Sequence, residues 1–172
     1  MPLLSLVLSY LGRKEEAWEN LEKHVVTRPR IGTPEDGTLD WIDILFLETA
    51  VITGHRQVAE LLLNRFSGSG LSATGFFPTC IPRHLGGAAA LLERYDEARE
   101  HYREAIKVCT EMPFRPELAL TRLQLAELLL EHYPDEKKEA LEHLDFAIKE
   151  FREMKMQPSL ERALRHKEIL KA

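Results

Sequence analysis

Four alanines constrain this chain more than any other feature. Ala17, Ala59, Ala98 and Ala140 each begin the same spacing, with a bulky residue four positions on and a further contact position three beyond that. The full sets are Ala17, Leu21, His24; Ala59, Leu63, Phe66; Ala98, Tyr102, Ala105; and Ala140, Leu144, Ala147. Any amphipathic helix shows 3-4 spacing, but the alanines recur at steps of 42, 39 and 42 residues, and that near-constancy marks a repeat. A period of this size holds two ordinary helices and two turns, because a helix rises 1.5 Å per residue.

Each repeat therefore reads as a helical hairpin. Ahead of every alanine lies a strongly apolar segment: Leu3 to Leu11, Trp41 to Ile52, Leu85 to Leu92 and Leu118 to Leu130. These fit inner helices, the last apolar around most of its circumference as a helix packed on two sides must be. The segments that begin near each alanine are amphipathic. Tyr95, Ala98, Tyr102, Ala105 and Cys109 share one face, with Arg99, Glu100, Arg103, Glu104 and Lys107 largely opposite.

Punctuation falls between these segments. Gly12 and Gly54 stand five residues before their alanines, where a turn demands backbone angles that glycine tolerates, and Glu93 takes that place in the third repeat. Residues 28–37, rich in Pro and Gly, cannot continue a helix, and Thr38 is placed to cap the next one. Ser67 to Gly70 forms a second break, and Pro113, Pro116, Pro134 and Pro158 mark later ones. Beyond Pro158, Ser159 to Leu170 reads as a closing helix with polar faces. The expectation is one all-α domain over 1–172: a right-handed α-solenoid of about four hairpins at 1–28, 38–66, 79–112 and 116–154, with a capping helix at 159–171.

Composition excludes several functions. Of the 172 residues, 44% are hydrophobic, enough for a substantial core. The 28 acidic and 23 basic residues are interspersed, with a formal charge of −5, so no basic stripe suits nucleic acid or an anionic membrane. The apolar run Leu3 to Leu8 lacks a basic leader and is far shorter than the ~20 residues that span a bilayer. It reads as a buried helix of a cytoplasmic protein. Two cysteines without C-x-x-C spacing agree with a reducing compartment.

Catalytic motifs are missing. There is no phosphate loop, no H-E-x-x-H, and no histidine with a glutamate three residues before it. Gly70-Leu71-Ser72-Ala73-Thr74 approaches a nucleophile elbow but ends in Thr, and reads as a polar loop between repeats. No metal or cofactor is expected. The one cluster that argues otherwise is Cys80, His84 and Cys109, which an antiparallel hairpin would bring level; its plainer reading is apolar packing by small side chains. The seven histidines fall mostly on charged stretches and read as solvated.

In the third repeat, Leu85-Gly86-x-x-Ala89, then Tyr95-Asp96-Glu97-Ala98, Tyr102 and Ala105 resembles the tetratricopeptide consensus. The fourth resembles it less closely, through Leu125-Ala126-x-x-Leu129 with Ala140, Leu144 and Ala147; His24 and Phe66 depart from the small residue of the consensus. The long period, with stretches such as Arg94-Tyr95-Asp96-Glu97-Ala98 and Met156-Gln157-Pro158-Ser159-Leu160, is similar to divergent arrays in bacterial LuxR-type activators and nucleotide cyclases. That resemblance implies a non-catalytic interaction or scaffold module with a regulatory role, binding a peptide or protein segment on the concave face of the inner helices. It transfers groove positions to Trp41, Glu48, Arg83 and Glu127, with Arg83→Glu expected to weaken a partner without lowering stability.

The alternative is a sensor segment of a bacterial signalling or transcription regulator, holding a small effector beside the Leu71 to Ile81 loop where Phe76 and Phe77 cluster; the plainer reading pins both rings into the core. A third reading is self-association through the first helix. Its abrupt start also suits the tail end of a longer array.

Overall fold

The computed structural model describes residues 1–76 and 78–169, so Phe77 and the end of the capping segment, from Leu170 onward, lie outside the described residues. Helices follow one another as the apolar periods require: α1 Pro2–Tyr10, α2 Lys14–Leu21, α3 Asp40–Thr53, α4 Arg56–Phe66, α5 Ile81–Leu91, α6 Tyr95–Glu111, α7 Arg115–His132, α8 Lys137–Glu153 and α9 Gln157–Ile169. Among the described residues there is no β-strand beyond one isolated antiparallel bridge between Ala73 and Cys80. The described residues are all-α. The chain packs as two compact units, Met1–Ala98 and one beginning at Arg99, with the division inside α6.

The repeated alanines occupy the tightest positions. Ala17, Ala59, Ala98 and Ala140 are all at 0% exposure, as are Leu21, Leu63 and Leu144 four residues on, with Tyr102 at 3%. A β-carbon alone fits where helices approach closely, and a larger side chain would force them apart. The third position is more tolerant. Ala105, Ala147 and the larger Phe66 are all buried there, whereas His24 sits where α2 widens into a π-helical turn, Glu22–Val26, and stacks on Phe46 at 6.0 Å.

Three turns between inner and outer helices share one chemistry. Gly12, Gly54 and Glu93 adopt φ of 72°, 74° and 65°. The following N–H in each case reaches back to a carbonyl five residues earlier: Arg13 to Leu8 at 2.9 Å, His55 to Ala50 at 2.8 Å, Arg94 to Ala89 at 2.9 Å. The left-handed residue folds the chain over the helix end and satisfies its last carbonyls. Between α7 and α8 the solution differs, since Tyr133 leads into a 3-10 turn at Pro134–Glu136.

In the first unit, α1 packs on α2 and α3, α3 on α4 and α5, and α4 on α5. The loop before α3 is held by a buried ion cluster. Asp43, fully buried, receives Arg28 through two hydrogen bonds and the Nε of Arg65 at 3.1 Å, and Asp36 pairs with both arginines. Thr38 does not cap α3, because the helix begins after Leu39 and no side chain caps it. The Thr38 N–H instead donates to Asp36, and its carbonyl accepts from Arg65. Burial works against the charge on Asp36, but hydrogen bonds from Thr38 and Gly32, with the Arg28 charge, outweigh it and hold its pKa at about 2.

In the second unit, α7 packs on α8, and α9 packs on both. Of α9 only Ala163 is buried, and Glu161, Arg162, Arg165 and Glu168 face solvent, the polar cover a repeat end requires.

Candidate functional site

Inner helices α1, α3 and α5 each contribute a side chain to one polar chain. Tyr10 Oη donates to Glu48 Oε1 at 3.0 Å, and Glu48 Oε2 stands 3.9 Å from His84 Nδ1. On its far side His84 Nε2 lies 2.7 Å from Thr79 Oγ1 and 3.1 Å from Arg83 Nη2. A guanidinium can only donate, so Nε2 is the accepting nitrogen and the ring proton belongs on Nδ1, facing Glu48. Burial, with the adjacent Arg83 charge, pushes the His84 pKa well below the ordinary histidine value, so the ring is neutral at physiological pH.

Glu48 is the residue here with capacity to spare. Its side chain keeps 21% exposure, and Oε2 is beyond hydrogen-bond reach of His84. A carboxylate held by one neutral donor and partly withdrawn from water favours a further donor, and a cationic one most. Trp41, seven residues earlier on the same helix, lies ~10 Å along the axis on nearly the same face. Its ring centroid is 5.2 Å from that of Phe76, which is 70% exposed. An aromatic pair and a partly desolvated carboxylate thus share one stretch of surface in the first unit.

The four groove candidates separate in this geometry. Trp41 and Glu48 are accessible on α3. Arg83 is not: it is 6% exposed, within an α5 that is buried from Ile81 to Ala89. The expectation that its charge could be reversed without loss of stability is corrected, because a carboxylate there would be buried beside a neutral His84. Glu127 lies in the second unit, where Arg162 Nε and Nη2 bind its two oxygens at 2.6 and 2.5 Å and His166 approaches to 2.8 Å. These contacts tie α7 to α9.

The uniform solvation expected of the histidines is also corrected. His84 is 3% and His55 6% exposed. His55 caps α4 by accepting from the Val58 N–H at 3.4 Å and meets the edge of Trp18, with ring centroids 4.8 Å apart. The hint of burial lay in the neighbours of His84, an apolar run with no outward charged period from Ile81 to Leu91. Tyr10 carried no sequence signal as a site residue; only packing of α1 on α3 places it against Glu48.

Phe76 is not pinned into the core. The Ala73–Cys80 bridge, with the Ile81 N–H donating to the Ser72 carbonyl at 3.0 Å, folds the loop so that its tip projects. Beside this loop is a depression of about 300 Å³ lined by Gly32, Pro34, Asp40, Arg65, Phe66 and Leu71. Cys80 and Cys109 are both buried and neither forms a disulfide. Among the described residues no three His, Cys, Asp or Glu side chains are arranged to hold a metal ion, Cys80, His84 and Cys109 included. Nor is any described helix long and apolar enough to cross a membrane.

Hairpins with alanine at the close-packed position and a left-handed residue at the turn are joined by a direct family match. Residues 79–149 match the family described as tetratricopeptide repeat. Over that span, 71 of the 172 residues, the chain is a tetratricopeptide-like helical repeat. The matched span takes in α5, α6 and α7 and most of α8, the repeats in which the consensus residues are most complete. No curated protein and no solved structure matches the chain. Tetratricopeptide repeats are in general protein-interaction modules and typically non-catalytic scaffolds.

Proposed function

We propose that the inner-helix face of the first unit receives a segment of another protein, with Trp41 and Phe76 as its apolar anchor and Glu48 as its polar contact. The observation that carries this reading is Glu48 itself: a carboxylate oriented by Tyr10, partly shielded from water, with one oxygen open and an aromatic pair two turns away on the same helix. Binding surfaces concentrate their energy in such pairings of aromatic area with a shielded charge. The matching ligand is a peptide segment that presents a lysine or arginine close to an apolar or aromatic side chain. The resemblance of the repeats to arrays of bacterial regulators is what supports a regulatory setting.

Trp41→Ala and Glu48→Gln address this separately. A partner recovered by co-purification should bind each variant at least ~10-fold more weakly, equivalent to the ~1.4 kcal/mol of one modest hot-spot contact, with the melting temperature little changed. Undiminished binding by both variants would remove the assignment. A small effector is the competing reading, and it is favoured instead if a metabolite raises the melting temperature saturably.

A further inference from the structure

The fourth hairpin departs from the third at its turn. Leu85 precedes Ala98 by 13 positions, whereas Leu125 precedes Ala140 by 15, and the longer connection is taken up by the 3-10 turn Pro134–Glu136. Beside that turn the α7–α8 hairpin carries a depression of about 580 Å³, a size that suits a small molecule.

The polar groups that line it are not paired with one another as helix packing would pair them. Arg122, on α7, holds its guanidinium carbon 4.1 Å from the centroid of the Phe146 ring, and its Nε is buried with no acceptor. Burial lowers the Arg122 pKa and no neighbouring carboxylate offsets it, so this is a partly buried cation without a counter-charge. Next to it, both ring nitrogens of His143 are buried without a partner; Glu139 Oε1 stands 3.6 Å from Nε2, too far for a hydrogen bond. Burial and the Arg122 charge, outweighing Glu139 and Glu142, lower the His143 pKa, so the ring is neutral near pH 7 and adds no second cation. Buried polar atoms are almost always satisfied, and three unsatisfied ones on two adjacent side chains form a cluster that packing alone does not explain.

The rim decides what fits. Asp135, Lys138 and Glu142 are exposed around the opening. The other two carboxylates of the lining are engaged elsewhere, Glu136 with Arg99 at 2.5 Å and Glu139 with Arg103 at 3.5 Å. A purely anionic ligand meets Asp135 and Glu142 on entry, and a purely cationic one meets Arg122 inside. A metal ion finds no ligand set, since among the described residues no three His, Cys, Asp or Glu side chains are arranged to hold one. Charges of both signs around one small depression are matched by a ligand that carries both.

We infer that this depression binds a small zwitterion of the amino-acid class, with its carboxylate on the guanidinium of Arg122 and its ammonium at Glu142 on the rim. A planar guanidinium takes a carboxylate through parallel hydrogen bonds, and the bound carboxylate supplies the counter-charge that the helices do not. The site lies in the second unit and is independent of the peptide surface proposed on α3.

Isothermal titration calorimetry of the full chain tests this with the common L-amino acids, β-alanine and γ-aminobutyrate, and with acetate and ethylammonium as carriers of one charge only. At least one amino acid should bind with a Kd of ~1 mM or tighter, and each single-charge ion at least ~10-fold more weakly than the best of them. Arg122→Gln and Glu142→Gln should each weaken that amino acid at least ~10-fold; Glu142 is exposed, so its variant tests the site without disturbing the core. A ligand-induced gain in melting temperature that Arg122→Gln removes belongs to this depression and leaves the reading of α3 untouched. A Kd above ~1 mM for every amino acid, acetate or ethylammonium binding within ~10-fold of the best one, or binding indifferent to either substitution would each overturn the inference.

Discussion

Arg28 and Asp43 face each other as a fork on a fork: Nη1 to Oδ1 at 2.8 Å and Nη2 to Oδ2 at 2.7 Å, with the carboxylate at 0% exposure. Because Arg65 reaches the same carboxylate from α4, Asp43 joins the loop before α3 to both helices of its hairpin. Replacing Asp43 by Ala leaves two largely buried guanidiniums short of a counter-charge. Urea denaturation should show a loss of about 3–5 kcal/mol, the scale for breaking a buried pair from one side. A loss below ~1 kcal/mol would mean the cluster is solvated in solution.

Acid should weaken the first unit in two windows. Asp36 has a folded pKa of about 2, below the ~3.9 of an unfolded aspartate, so its contribution is complete above pH ~4 and disappears as pH falls through about 2. His84 has the opposite origin and acts earlier. Its folded pKa is depressed by burial and by Arg83, so below pH ~6.5 only the unfolded chain takes up the proton, and stability declines. Melting temperatures should fall between pH 7 and 5.5, and His84→Gln should flatten that slope. An equal slope in the variant would place the effect elsewhere, with His143, also depressed by burial and by Arg122, the next group to replace.

Glu93 is a left-handed residue with a side chain, at φ 65°, where the first two hairpins use glycine. Glu93→Gly should stabilise by up to ~1 kcal/mol through relief of that conformation. Its ion pair with Arg56 is more than half exposed on both sides and contributes little. The converse change, Gly54→Ala, meets no neighbour within 4 Å yet places a β-carbon at φ 74°. It should destabilise by about 1–2 kcal/mol for conformational reasons alone. Thermal denaturation of both variants checks the sign of each.

Arg83→Glu should lower stability outright. The side chain is 6% exposed and its guanidinium lies 3.1 Å from His84 Nε2, so the substitution buries a carboxylate against an accepting nitrogen. Breaking a buried charge contact is expected to cost about 3–5 kcal/mol, observable as a lower urea midpoint. An unaltered midpoint would mean that Arg83 is solvent-facing. It is therefore Trp41 and Glu48, and not Arg83, that report cleanly on binding.

The alanine period, the apolar inner segments and the glycine turns were legible in the sequence because each is a local requirement. A helix needs its 3-4 spacing wherever it packs, and a left-handed turn needs its residue whatever surrounds it. Trp41 and Glu48 came from the resemblance to tetratricopeptide grooves, and only the structure puts them at partly exposed positions two turns apart on α3. Sequence reading failed where neighbours decide. The resemblance treats Arg83 as a groove contact and local punctuation treats Thr38 as a cap, yet helices converging on α5 enclose the first, and Asp36 with Arg65 takes the second into the loop clamp. His84 was read as solvated, and close packing around Ile81 to Ala89 made it buried and neutral. The sequence by itself determined that this protein is a run of helical hairpins and where each one turns. The tertiary structure decided which polar groups meet and which of them are buried, because burial depends on the helix that arrives from elsewhere in the chain.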